Sequence, residues 1–280
     1  MTTLTDYEIH IFGMNRCGQH AILAWLLGMF NNVLYKNNMG DGTFIVDPTK
    51  YPNWNFFYYQ NYGDIVNRNK WEIFSPKYKM DAIILGSENA SVNCFATNYK
   101  EIFTKVKKNL IISKANKNGY NVDTFSKKQI FIPVIRSPHN HAASCLKWRN
   151  KKHFVNKPEN FIPLWISYAE EYLGITKYLP DISVPINYDE WVISETYKKE
   201  SFNKMGLDIE YSDKNINRIL GFGRGSSFGK QSSAQHMKIN DRWKYWMDGT
   251  KDNKYYLNML NNSRLLELSE KIYGKMPFVI

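Results

Sequence analysis

Cysteine, arginine and long apolar runs are all scarce in this chain of 280 residues. Its three cysteines, Cys17, Cys94 and Cys145, are an odd number, and no two of them stand in a Cys-x-x-Cys pair. That argues against a disulfide framework and leaves a zinc site without a ligand set. No metal is expected. The longest apolar run, 21–30, is too short to span a bilayer. The first eight residues lack the basic segment and apolar stretch of a secretory signal. A cytoplasmic location is the expectation, and the sequon-like Asn89-Ala-Ser91 then carries no meaning. There is no internal repeat, no low-complexity tract and no recognised nucleic-acid-binding module.

What the chain has in quantity is lysine, asparagine and aromatics. It holds 29 Lys and only 8 Arg, with 30 Asn, and its net charge is +11. Such a charge points to anionic partners. Lys and Asn share AT-rich codons, so most of the lysines read as a solvated surface. The few arginines say more, because a guanidinium grips a phosphate in two places at once and an ammonium does not. Hydrophobic residues make up 43 % of the sequence and aromatics 15 %, enough for a sizeable core.

The apolar pattern predicts strands over 8–12, 81–85, 129–135 and 184–187. Between and after them it predicts helices over 20–30, 140–149, 161–179, 189–204, 239–248 and 265–273. Strands that alternate with helices give an α/β fold, a central parallel sheet flanked by helices, in a single domain over 1–280. Two stretches break the rhythm and read as insertions. Residues 51–78 hold ten aromatics, suited to core packing or to stacking on a sugar or aromatic acceptor. Residues 100–128 hold eight Lys, suited to a solvated face or to steering an acidic acceptor. Ligands of open α/β sheets bind beyond the carboxyl ends of the strands. The loops after Phe12, Leu85, Ile135 and Asn187 should therefore converge.

The first of these loops runs Gly13-Met-Asn15-Arg16-Cys17-Gly18-Gln19-His20. Glycines let a backbone approach an anion closely, and the N–H groups at a helix start point at it. The Gly-x-x-x-x-Gly spacing opens a Walker A motif, but Gln19-His20 stands where Lys-Ser/Thr should follow. The hydroxyl that would hold Mg²⁺ is missing, which argues against a magnesium-dependent NTPase and keeps the anion-binding loop. Arg16 supplies a cation inside it. A second phosphate-reading element follows the strand at 129–135. There Arg136 ends the strand and Ser144 stands eight residues on, after a proline that suits a helix start. One phosphate could be clamped between the guanidinium and that hydroxyl.

The pair resembles the 3′-phosphoadenosine 5′-phosphosulfate (PAPS)-dependent sulfotransferase family. Its members carry a phosphosulfate loop after the first strand, often Lys or Arg before Ser-Gly-Thr, and an Arg with a Ser eight residues later for the 3′-phosphate. Arg16-Cys17-Gly18-Gln19-His20 would be the first and Arg136 with Ser144 the second. Asn187-Tyr188-Asp189-Glu190 is similar to the family's Tyr-Glu-Asp segment, whose Tyr lies near the adenine. Gly223-Arg224-Gly225-Ser226-Ser227-Phe228-Gly229-Lys230 resembles its nucleotide-closing loop, and Asn240-Asp-Arg242-Trp243 the helix start after it. The resemblance touches points from residue 8 to about 247, in the right order. It implies a P-loop-like sulfotransferase architecture, PAPS as donor, no required metal, and transfer to a hydroxyl or amine of an acceptor such as a carbohydrate. Gln19-His20 departs from the family's hydroxyl residues, and no clean Arg-Lys-Gly stands near 225.

Sulfuryl transfer asks for cations aimed at the leaving oxygen and for a base at the acceptor. Arg16 is the candidate cation. Candidates for the base are Glu88, just past a predicted strand, Asp47, Asp41 and His20. Two other readings remain open at this point: a different phosphoryl transferase or kinase of P-loop type, and a non-enzymatic nucleic-acid binder. The missing Lys-Ser/Thr counts against the first, and the scarcity of Arg against the second.

Overall fold

A computed structural model describes residues 3–36, 56–60, 64–68, 80–94, 108–117, 119, 121–147, 158–180, 182–217, 239–241, 243, 258 and 261–275. The described strands form one seven-stranded sheet in the order β4-β3-β2-β5-β1-β6-β7. These are β1 (Thr3–Gly13), β2 (Val33–Lys36), β3 (Phe56–Gln60), β4 (Asp64–Arg68), β5 (Met80–Glu88), β6 (Thr124–Ile135) and β7 (Ile186–Asn187). From β2 to β7 every neighbour is parallel. The two strands β3 and β4 add an antiparallel edge beyond β2.

The centre of the sheet is apolar because its strands are covered on both faces. β1 alternates between them: Ile9 and Ile11 enter one core, Leu4 and Phe12 the other. Helix α1 (Gln19–Leu27) packs into the Ile9 core through Ile22, Leu23, Trp25 and Leu26, together with α6 (Tyr188–Ile193) and α7 (Glu195–Met205). The opposite core takes α4 (Pro138–Lys147), α5 (Pro158–Tyr172) and α8 (Ser263–Tyr273). Short α2 (Val92–Cys94) and α3 (Lys108–Lys117) complete the described helices of regular α type. Among the described residues no helix is long and apolar enough to cross a membrane.

Several boundaries differ from the sequence expectation, each for a physical reason. The helix expected over 161–179 stops at Tyr172, because Gly174 takes a left-handed backbone, φ 69°, and the Ile175 N–H turns back to the Glu170 carbonyl at 2.9 Å; the Glu171 carboxylate then holds the N–H groups of Tyr178 and Leu179 at 3.1 and 3.0 Å. The helix expected over 189–204 is two helices. Ser194 ends α6 in an extended conformation and caps α7, its hydroxyl accepting from the Tyr197 N–H at 3.1 Å. The strand at 184–187 shortens to Ile186–Asn187 because Pro185 brings no N–H to the ladder. Strand β2 lies in an apolar run straight after α1 that was not read as a strand. The aromatic stretch 51–78 contains β3 and β4, in keeping with the strand preference of aromatic residues. The Lys-rich stretch 100–128 contains α3 and the start of β6. Of the helix expected over 239–248, the structure describes a 3₁₀ turn at Ile239–Asp241.

The register brings the carboxyl ends of the central strands level. Gly13 at the end of β1 pairs with Glu88 of β5 and with Val134 of β6. Val134 and Ile135 pair in turn with Ile186 and Asn187. The residues that follow these four strands thus emerge side by side.

Candidate functional site

The loop that leaves β1 turns at once. The Cys17 N–H donates to the Met14 carbonyl at 3.0 Å, closing a tight turn, and two of the next residues take left-handed backbones, Arg16 at φ 72° and Gly18 at φ 103°. Alternating hands of this kind bring successive N–H groups to one side, the geometry of an anion nest. Gly18 fills a position that only glycine fits, since a Cβ there would collide with the Tyr188 ring. Gly13 is confined too, by the Cys17 sulfur and the Val134 carbonyl. α1 begins at the next residue, so the N-terminal end of its dipole opens on the same loop.

The second element comes from β6. Arg136 is a large side chain buried to 1 % exposure. Its Nη1 donates to the Arg16 carbonyl at 3.4 Å, and its Cζ lies 5.4 Å from the centre of the Tyr188 ring. Its Nε is 4.0 Å from the Asp189 carboxylate. Asp189 also takes the Ser137 N–H at 2.6 Å and its hydroxyl at 3.2 Å, and so pins the corner between β6 and α4. Asn140 extends the clasp, donating to the Ser137 hydroxyl at 3.0 Å and to the Asn240 carbonyl at 2.9 Å. From the core, the Trp165 indole N–H donates to the Arg136 carbonyl at 2.8 Å. Removing that buried ring would cost about 3–5 kcal/mol and loosen the arginine's backbone with it.

The third element is Glu88, the last residue of β5. One of its carboxylate oxygens lies 3.5 Å from Nε2 of His20 in the first turn of α1. Burial pushes the Glu88 carboxyl up, with Arg16 opposing the shift. Burial holds His20 down at about 4, and Arg16 adds to that, so the imidazole is neutral near pH 7. Arg16 is itself lowered, chiefly by burial and further by the charge of Arg136. The two guanidiniums thus repel each other in a largely buried setting. A bound anion relieves that repulsion, so the donor set fits a phosphate or phosphosulfate group.

The other residues singled out in the sequence are placed as follows. Cys17 is buried and its thiol is pushed up to about 12 by burial. Gln19 turns inward, its amide donating to the Ile11 carbonyl at 3.4 Å. Ser144 is buried on α4. Tyr188 packs against Gly18 and stacks on Trp191 with ring centres 6.0 Å apart. Asp41, Asp47, Arg224, Ser226, Ser227, Phe228, Gly229 and Lys230 lie outside the described residues. Among the described residues no group of three His, Cys, Asp or Glu side chains could hold a metal ion.

Three residues contribute in ways that the sequence did not assign to them. Asn89 accepts the Asn15 N–H on its side-chain oxygen at 2.7 Å. His141 meets the Asn15 carbonyl through Nε2 at 2.8 Å. Asp189 stood in the sequence only as part of the Tyr188 segment, with no role of its own. Their partners are 74, 126 and 52 residues away, beyond any local pattern.

The sequence matches no family model and no curated protein. The fold aligns with the sulfotransferase domain of the Synechococcus PCC 7002 olefin synthase, over 98 % of this chain and 97 % of that one, at 12 % identity and a TM-score of 0.47. The chain is similar in fold to a sulfotransferase domain. The likeness is one of architecture, and what the chain does is decided by its side chains.

Proposed function

We propose that the chain is a PAPS-dependent sulfotransferase that moves a sulfuryl group onto a hydroxyl or amine of an acceptor, a carbohydrate among the candidates. One observation carries the reading. Arg136, buried at the end of β6, reaches the carbonyl of Arg16 in the loop after β1, which supports reading the two phosphate-reading elements as a single site. A nucleotide with phosphates at both ends of its ribose needs two such elements.

In this reading the nest at Arg16–Gly18 and the start of α1 hold the 5′ end of the donor. Arg136, with Ser144 on the helix that follows it, holds the 3′-phosphate, and residues 224–230 contribute to the nucleotide site. Bound PAPS supplies the sulfuryl group. The guanidinium of Arg16 faces the oxygen on which negative charge grows as the sulfur–oxygen bond breaks, and it stabilises that charge in a site with little water. Glu88 takes the proton from the acceptor as the new bond to sulfur forms, and the bisphosphate leaves with the electron pair. A carboxyl raised by burial is a better base near neutral pH than an ordinary one. His20, kept neutral beside it, orients the carboxylate. Asp47 stands as the alternative base.

The direct test is transfer of label from sulfur-labelled PAPS to pools of hydroxyl- and amine-bearing acceptors in excess chelator. Label should appear on an acceptor and survive the chelator. Loss of transfer that Mg²⁺ restores, with ATP serving as donor, would instead mark a kinase.

A further inference from the structure

The loop after β1 is tied down by two side chains that do not belong to it, and both act on one residue. Asn15 donates its N–H to the side-chain oxygen of Asn89 at 2.7 Å. Its carbonyl lies 2.8 Å from Nε2 of His141. A carbonyl only accepts, so Nε2 carries the proton and the tautomer is assigned by this contact. Cys145, one helical turn further along α4, places its sulfur 3.7 Å from the same oxygen. The peptide units on both sides of Asn15 are therefore held, one from the residue that follows β5 and one from α4.

Asn89 is itself unusual. It takes a left-handed backbone, φ 60°, directly after Glu88, and its own N–H donates to the Gly13 carbonyl at 2.9 Å. It bridges the loop to the strand that carries the carboxylate. His141 is 1 % exposed, and its ring sits edge-on to Phe161 with centres 5.1 Å apart. Burial holds it neutral, at about 3, so it donates in the same way throughout the neutral range.

These ties matter because a peptide unit has two faces. In a trans peptide the carbonyl and the following N–H point in opposite directions. Anchoring the Asn15 carbonyl under α4 therefore turns the Arg16 N–H away from α4. Arg16 also sits in a left-handed conformation, which costs a non-glycine residue on the order of 1 kcal/mol, so something must hold it there. If the unit between Asn15 and Arg16 flipped, it would present a carbonyl oxygen to an incoming anion in place of a donor.

We propose that Asn89 and His141 are positioning residues that lock the Asn15 peptide units so that the N–H groups of the Arg16–Gly18 turn face the 5′-phosphate end of the nucleotide. The proposal rests on the sulfotransferase reading of the site and adds to it the device that keeps the anion nest preformed. Neither residue touches the nucleotide. Each acts through the backbone of the loop.

The test separates the 5′ end of the ligand from the rest. Calorimetric titration with adenosine 3′,5′-bisphosphate and with adenosine 3′-monophosphate gives, as a ratio of affinities, the share of binding owed to the 5′-phosphate. In His141→Leu and in Asn89→Gly, which keeps the left-handed backbone, that ratio should fall about tenfold, the scale of a lost backbone donor. Affinity for the 3′-monophosphate should stay unchanged. His141→Gln, whose amide can donate from the place of Nε2, should restore most of the ratio. An unchanged ratio in both loss variants overturns the proposal, and so does an equal loss for both ligands, which would mark general loosening. A wild-type protein that binds the two ligands equally would overturn the sulfotransferase reading itself, whatever the variants do.

Discussion

Strand β1 carries two buried polar clusters, and they are built on opposite plans. Halfway along it, Glu8 and His10 point into the same face of the sheet with 0 % and 1 % exposure. The His10 ring donates to one Glu8 oxygen at 2.6 Å, and Gln129 donates to that oxygen at 3.0 Å. The Ser126 hydroxyl donates to the other at 3.0 Å, and the imidazole stacks on Phe131. This cluster is closed on itself. Beyond the carboxyl end of the same strand, Arg16, Arg136, Glu88 and His20 gather, and burial shifts Arg16 and His20 down and Glu88 up from their ordinary values. A satisfied network specifies a fold, whereas a strained one opening on a crevice is where a ligand or a reaction is expected. The same strand thus separates structure from chemistry along its length.

The sharpest way to break the comparison is to remove one member of each cluster. Arg16→Ala should lower kcat by on the order of 10²–10³, the usual loss for one donor aimed at developing charge. Its folding stability should hold or rise, because a desolvated guanidinium is gone. Glu8→Ala should do the reverse. It takes away the carboxylate on which His10, Ser126 and Gln129 converge, at about 1–3 kcal/mol for a buried group that loses its partner, and should leave kcat untouched in the fraction that stays folded. Steady-state kinetics and urea unfolding on the two variants read both quantities. If Arg16→Ala mainly loses stability, or Glu8→Ala mainly loses turnover, the division is wrong.

A smaller effect, in pH, sharpens the same division. Burial holds His20 and His139 down at about 4 and His141 at about 3, below the ordinary histidine value of 6.5. Folding favours their neutral forms. The unfolded chain therefore binds more protons between pH 6.5 and about 3, and stability must fall as pH falls through that window. All three surround the site, so His20→Gln and His141→Gln should each flatten the acid loss of stability in urea titrations. Glu88 runs the other way. Its carboxyl is raised, so the ionised form appears only above the ordinary range; with Glu88 as the proposed base, kcat should climb with pH along a limb that Glu88→Gln abolishes. A limb that persists in that variant would move the role of base to Asp47.

How much of this was legible in the sequence follows from where each signal lives. The apolar runs of β1, β5 and β6 announce themselves because central strands are covered on both faces. Glycines 13 and 18 around an arginine announce a turn, although not the side chains from outside it that hold its shape. Arg136 is legible because a strand end, a proline and a helix start follow one another locally. Strand β2, only four residues long, offered too little pattern after a helix. The four consecutive aromatics of β3 obscured the alternation that marks a strand. The break at Ser194 turns on a single cap. Asn89 and His141 had no local sign at all, because each earns its place through one backbone group of Asn15, which only the paired strands bring near. Asn89 read in sequence as part of an idle sequon.

On the proposed function, the loop after β1 and the corner after β6 bind one nucleotide phosphorylated at both ends. The measurement that bears on it most directly is thermal unfolding with adenosine 3′,5′-bisphosphate or with AMP, on the wild-type protein and on Arg136→Ala. At 100-fold excess over Kd the bisphosphate should stabilise the wild type by about 2.7 kcal/mol. AMP, with nothing for Arg136 to hold, should give much less, and the substitution should erase the difference by removing about 1.5–3 kcal/mol of affinity for the bisphosphate alone. Equal stabilisation of the wild type by both nucleotides, or a difference that survives Arg136→Ala, would contradict the claim.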